Sequence, residues 1–432
     1  MIFSKKYVIV AVMQSLSKLY KKGPGPSSSH TMGVQEASKL FLKYLKGHNL
    51  ADNRWVATLG KSLAATGVGH HTDCTIKEAF EKDGKKIEIK FDESYSYQNK
   101  GHKYHNHPNT LKLSAYNKED EPVYEREYLS LGGGEVFVVG SAEKEADNIY
   151  PFRNFTAIKE HCYSHNLTLP DFVRQYEEAG SINITEYLTD IWQTMVKAIA
   201  DGLSGEEKVL KGGLNYVRRA KDFYERAQFD RNKNAYLYSY ALAVMEQNSI
   251  AGNVMVTAPT CGAAGVVPAV LYHYFKDEKK LPVSADNPQV IEALAVAGIV
   301  GNIAKTRASI SGAVAGCQAE IGVACAMAAA ALVFLRSGGK NIELIEQAAA
   351  IALKHNLGLT CDPVLGLVQE PCIERNAIKA AMAANVADYV MLRGSQAVIF
   401  SYDEVLGVML ETGKDLKEKY RETAKGGLAK CY

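Results

Sequence analysis

The stretch Cys361-Asp-Pro-Val-Leu-Gly-Leu-Val-Gln-Glu-Pro-Cys372 restricts this chain more than any other. Pro363 and Pro371 fix φ and remove backbone donors, which disfavours a long helix between the two thiols. Each thiol therefore sits beside a rigid corner, as suits a pair of ligands whose aim must hold. Cys317, in Ser311-Gly-Ala-Val-Ala-Gly-Cys-Gln-Ala-Glu320, follows Gly316 near a helix start, where backbone donors and the helix dipole favour a thiolate. Cys431 is the penultimate residue, on a glycine-hinged tail. Such an end is loose unless something anchors it, and a metal would. Spacing alone serves two unpaired loop thiols equally well.

The chain has 432 residues, room for two or three domains and a large core. Fifty Lys+Arg against 48 Asp+Glu give no electrostatic case for nucleic acid. A core of this size needs no disulfide staples, so the eight cysteines read as reduced, catalytic or metal-binding. Cys317 and Cys325 lie eight residues apart, about 12 Å along a shared helix, so at most one of them joins a small metal group. Cys325, among alanines, reads as a packing residue. Lys5-Lys6 before the apolar run Tyr7–Met13 imitates a targeting segment. The run is short and arginine is absent, so a cytoplasmic first element is expected. No stretch reads as long and apolar enough to span a membrane.

Along the chain the periodicity changes once. Ser29 is a fitting N-cap for a helix from His30 to Lys46. Lys85–Phe91 alternates after an Asp83-Gly84 turn and reads as a hairpin strand. Thr110–Ala115 and Tyr124–Leu131 read as a pair, and Phe137–Val139 as one more strand. Helices are expected at Ile191–Leu203, Asn215–Gln228, Tyr236–Gln247, Gln289–Ile303, Ile310–Arg336, Asn341–His355 and Arg375–Met391, several rich in alanine and glycine. The expected fold is an α+β N-terminal domain, residues 1–150, followed by a mostly all-α domain, residues 155–432.

Other segments carry possible chemistry. Gly25-Pro-Ser-Ser-Ser-His-Thr31 crowds hydroxyls at a helix start, a ready site for a carboxylate, although a capped helix with a solvated serine loop reads the same way. His30 exchanges a proton near neutral pH. In Thr66-Gly-Val-Gly-His-His-Thr-Asp73, Asp73 is placed to orient an imidazole. His102, His105 and His107 resemble a metal site in composition, but a solvated histidine-rich loop is the simpler account. Ser130-Leu-Gly-Gly-Gly134 reads better as a tight turn than as a phosphate loop. Lys305 is a candidate base, with a surface lysine as the default.

Taken in order, Gly-Pro-Ser-Ser-Ser-His-Thr, Gly69-His-x-Thr-Asp73, His107-Pro-Asn-Thr110, Ser-Leu-Gly-Gly-Gly, Thr257-Ala-Pro-Thr-x-Gly-Ala-Ala-Gly265, Ser309-Ile-Ser-Gly-Ala-x-x-Gly-Cys-Gln318, the Cys361–Cys372 loop running on through Ile-Glu-Arg-Asn376, and the C-terminal cysteine resemble the iron–sulfur L-serine dehydratase family in its single-chain form. The resemblance runs from about residue 23 to the end. It implies an oxygen-sensitive [4Fe–4S] cluster, with its ligands at Cys317, Cys361 and Cys372. Cys431 would take the fourth iron when substrate is absent. It also implies conversion of L-serine to pyruvate and ammonia, with substrate contacts expected at Ser27, Ser28, Ser29, His30, Thr31, His70, Asp73, Asn109 and Ser130. His30, Lys305 and Cys431 stand as candidate bases. Dehydratases of this kind lead us to expect a homodimer. A pyridoxal-phosphate dehydratase and a non-enzymatic iron–sulfur redox sensor are the competing readings.

Overall fold

Five strands form the sheet of the N-terminal unit: β1 (Arg54–Gly60), β2 (Ile87–Asp92), β3 (Thr110–Tyr116), β4 (Pro122–Gly132) and β5 (Glu135–Val138), in the order β2-β1-β3-β4-β5. The computed structural model describes residues 12–48, 54–141, 148–229, 232, 234–285, 287–396 and 399–432. The expectation about a targeting segment falls largely outside them. Helices α1 (Gly33–His48) and α2 (Thr72–Glu81) cover the sheet, burying Phe41, Leu45, Leu59, Ile76, Phe80 and Leu113 together. The β3–β4 pair and β5 follow the alternation in the sequence, and Gly132, Gly133 and Gly134, all at positive φ, make the tight turn between β4 and β5. Strand β2 departs from expectation. It runs parallel to β1, with Trp55 opposite Ile87, and reaches that position through α2 rather than a hairpin. A parallel neighbour needs such a crossover.

The second unit is helical, as expected. Its centre is α6 (Val323–Ser337), packed by α5 (Pro288–Arg307), α7 (Ile342–Lys354) and α8 (Cys372–Arg393), with α3 (Ile184–Ser204) and α4 (Ala235–Asn248) further out. Ala324, Ala326 and Ala328 to Ala331 are fully buried on α6, and these small side chains let the neighbouring helices come close. The expectation that no stretch is long and apolar enough to span a membrane is corrected by this helix. Gln318–Ser337 is long and apolar enough to cross a membrane by length and composition, and 94% of that window is buried inside the protein as its core helix.

Ile310–Arg336 is not one helix. A short helix, Gly312–Ala315, ends at Gly316 with φ +74°, and a π-helical turn, Gln318–Gly322, then leads into α6. A Cβ on Gly316 would lie 2.6 Å from the Leu359 carbonyl, so both the backbone angle and the space require glycine. The break delivers Cys317 to the start of the turn. The Asn215–Gln228 segment is helical only over Ala220–Ala227.

Residues 13–24 pack with the helical unit, although the sequence reading grouped them with the sheet. Met13, Leu16, Leu19 and Tyr20 are fully buried in the helical core. Burial of Leu16 and Leu19 contributes about 2 kcal/mol each. Glu177, also buried, accepts from Ser15 Oγ (2.6 Å), the Leu16 N–H (2.6 Å) and the Tyr150 hydroxyl (2.7 Å). Lys22–Pro24 pairs with Val254–Val256. The chain is thus anchored in the helices before it delivers the Ser27–Thr31 segment to the boundary between the two units.

Candidate active site

The first wall of the site is sulfur. Cys317, Cys361 and Cys372 are free thiols from three segments. Cys317 precedes the π turn that opens α6, and Cys372 is the first residue of α8, so two thiols sit at helix starts, where unpaired N–H groups favour a thiolate. The third is held by backbone. The Cys361 N–H donates to Tyr420 O (2.8 Å), and its carbonyl accepts from the Glu422 N–H (2.8 Å). The donor atoms of Cys317, Cys361 and Glu320 all lie within 4.8 Å of one another, with Cys361 Sγ 3.8 Å from Glu320 Oε2. A hydrogen bond from Cys361, assisted by the Arg375 guanidinium, outweighs burial and draws the Cys317 thiol down to about 6. The same hydrogen bond, with burial, pushes Cys361 well up, and burial pushes Cys372 well up. Arg375 donates to Thr360 O (2.8 Å) and lies 3.4 Å from Asp362 Oδ1. Glu320 accepts from Thr260 Oγ1 (2.8 Å), and burial, with Glu422 and Cys317 nearby, raises its carboxyl well above the usual range.

The second wall is imidazole. His30 and His70, both buried, lie with ring centroids 4.4 Å apart and planes tilted by 43°. Glu422 Oε1 lies 3.6 Å from His30 Nδ1 and 3.5 Å from His70 Nε2. Carbonyls stand at the far nitrogens: Ser62 O is 3.3 Å from His30 Nε2, and Gly366 O is 2.5 Å from His70 Nδ1. Burial, only partly offset by Glu422, lowers His30 to about 4, so the ring is neutral at pH 7. Burial would raise the Glu422 carboxyl, but the two imidazoles outweigh it and hold it below its usual value.

The serine segment joins the two units. Ser27, not Ser29, caps its helix: Ser27 Oγ accepts from the His30 N–H at 3.3 Å, and a π turn, Ser28–Met32, precedes α1. Ser29 Oγ is 2.9 Å from His30 Nδ1, and Ser130 Oγ donates to the Ser29 carbonyl at 2.8 Å. Ser28 is buried at the head of the turn. Thr31 donates to the Pro24 and Ser27 carbonyls, a structural use. Asn109 is fully buried, and among the described residues neither its side-chain oxygen nor its nitrogen has a partner; the same holds for Ser311 Oγ and Glu422 Oε2. Buried polar groups without partners are costly, so these atoms are candidates for contact with a polar ligand.

Three expected site residues have contacts other than those expected. Asp73 does not orient an imidazole; it pairs with Lys77 one helical turn on (3.1 Å), at the start of α2, where an acidic residue suits the helix dipole. Lys305 pairs with Glu135 (2.8 Å) and donates to Gln14 Oε1 (2.7 Å) and Lys18 O (3.3 Å), which engages its ammonium away from the thiols and imidazoles. Cys431 is exposed, and among the described residues its thiol hydrogen-bonds only the Gly427 carbonyl, at 4.0 Å. It opens onto a cavity of about 460 Å³ that Tyr216, Glu370 and Glu374 also line. Protein hydrogen bonds anchor the tail: Leu428 N–H donates to Asp362 Oδ2 (2.8 Å), and Arg421 pairs with Cys361. Among the described residues, the His102–His107 loop gathers no metal group. His102 packs on Phe137, and His107 accepts the Asn109 N–H.

Sequence reasoning missed Glu320 and Glu422. Glu320 had a signal, because it lies three residues after Cys317 at a helix start and so shares its face. Glu422 had none, since nothing local tells a folded-back tail from a loose one.

Comparison with known proteins agrees with this architecture. Residues 127–429 match the family model described as serine dehydratase alpha chain, and residues 15–82 and 74–142 match that described as serine dehydratase beta chain. L-serine dehydratase 1 of Escherichia coli (strain K12) is 39% identical, over 96% of this chain and 99% of that protein. The L-serine dehydratase of Streptomyces coelicolor is 38% identical, over 96% and 98%. That of Helicobacter pylori (strain J99) is 37% identical, over the same shares. A helical unit bearing the thiols, a sheet unit bearing an imidazole and matches along almost the whole length agree on one conclusion: the chain belongs to the serine dehydratase family.

Proposed function

We propose that this chain is an iron–sulfur-dependent L-serine ammonia-lyase, converting L-serine to pyruvate and ammonia. The observation that carries the reading is the meeting of Cys317 and Cys361, free and buried, beside the His30–Glu422–His70 group, with Cys372 near enough to Cys317 to feel its charge. Free thiols at helix starts, with the Arg375 guanidinium as counter-charge, fit the donor chemistry of a [4Fe–4S] cluster held by Cys317, Cys361 and Cys372. When bound, the cluster would supply a Lewis acid for the departing hydroxyl of serine.

The chain's own residues would do the rest. The hydroxyls and N–H groups of Ser27 to Ser29, at the head of the π turn, suit the substrate carboxylate. Asn109 and Ser130 complete that side, and the unpaired Asn109 side chain gains partners when the pocket fills. His30, neutral at pH 7, is the base we assign to the α-proton. Loss of that proton and of hydroxide gives aminoacrylate, which tautomerises to the imine and hydrolyses to pyruvate and ammonia. Lys305, already paired with Glu135, is set aside as the base.

The test is an anaerobic assay. Protein prepared without air should release pyruvate from L-serine and show broad visible absorbance, and both should fade together in air. Undiminished activity after the absorbance has gone would defeat the cluster reading.

A further inference from the structure

Glu422 is a tail residue that reaches the reaction's proton-handling group. Its backbone sits at φ +57°, a left-handed conformation that a non-glycine residue adopts only where its surroundings impose it. Those surroundings are specific. The Glu422 N–H donates to Cys361 O at 2.8 Å, and Ser62 Oγ donates to the Glu422 carbonyl at 2.7 Å. The conformation turns a buried carboxylate toward two imidazoles. Each ring then has a carbonyl at its far nitrogen and Glu422 Oε1 at the near one, which fixes its rotation.

We propose that Glu422 is a positioning residue for the elimination: it holds His30 and His70 in register with the thiol wall, and it keeps that place because its own backbone is hydrogen-bonded to Cys361. One link, the Glu422 N–H to Cys361 O, thereby ties the orientation of the imidazoles to the loop that carries a thiol. The proposal rests on the reading of the site given above. No local sequence signal marks Glu422, and its role depends on the tail folding back.

E422Q, E422D and E422A, prepared without air, test it, with turnover expressed per bound iron so that any change in iron content is separated from a change in chemistry. E422A and E422Q should lower kcat about 100-fold, the scale of a misplaced catalytic group, with KM for L-serine changed less than about threefold. E422D, which retains a carboxylate, should recover part of the loss. A kcat within about twofold of the parent in E422Q would overturn the proposal. So would a raised KM at unchanged kcat, since that pattern would make Glu422 a substrate-binding group instead. The parent chain is the control for the underlying reading: if it holds no iron and still releases pyruvate, the cluster reading fails, whatever the Glu422 variants do.

Discussion

The two walls of the site are built in different ways. The thiol wall rests on regular structure. Cys317 and Cys372 are set by helix starts and a glycine break, and Cys361 by a proline-flanked loop. The imidazole wall is assembled from irregular pieces: a serine turn, the Thr66–His71 loop and the C-terminal tail meet at His30, His70 and Glu422. Regular elements fix a side chain through many backbone bonds, whereas the imidazole wall depends on a few long-range contacts. The thiol wall should therefore fail in an all-or-none way when a donor is lost, and the imidazole wall should degrade by degrees.

The largest effect belongs to the sulfur side. C361S, C317S or C372S should each abolish anaerobic pyruvate release, to below about 0.1% of the parent, with the visible absorbance lost or altered. Retained activity in any one would remove that thiol from the wall. Next comes H30N, which should lower kcat by roughly 10²–10⁴, the range for loss of a general base, while the absorbance stays. A tenfold or smaller loss would move the base elsewhere, with K305A as the comparison. Because Lys305 is engaged by Glu135 and Gln14, K305A should cost about 1 kcal/mol of stability and leave kcat within about threefold, read by thermal melting and steady-state kinetics.

Smaller again is D362A. Asp362 accepts from Leu428 N–H and neighbours Arg375, so its loss should free the last turn of the tail at a cost of about 1–2 kcal/mol. Faster proteolysis near residues 425–430, with the absorbance unchanged, is the expected result. Smallest is C431S. The thiol is exposed and holds no tight contact, so the melting temperature should not move. A changed lag, cluster lifetime or serine affinity would show that the tail nevertheless reaches the thiol wall during turnover, and no change in any of the three would remove Cys431 from the site.

The same contrast explains what the sequence made legible. The α+β-then-helical order followed from where strand alternation stops and alanine-rich helical spacing begins. The thiol wall was legible because proline and glycine have strong local meaning: Pro363, Pro371 and Gly316 mark the turns that aim the cysteines. Strand β1 was missed, and with it the parallel placement of β2, because Arg54–Gly60 alternates only in part. Residues 13–24 were grouped with the sheet because chain order implied it, yet Leu16 and Tyr20 bury against helices far along the chain. Glu422 was invisible for a related reason. Its role arises from a fold-back that pairs Arg421 with Cys361, and no local propensity encodes a contact over that separation.

The central claim is that three distant thiols grip one inorganic centre. Iron and acid-labile sulfide, counted per chain on protein purified without air, test it most directly. The account predicts about four of each, falling together with pyruvate release when air is admitted. A chain that turns over L-serine while holding neither iron nor sulfide would contradict it.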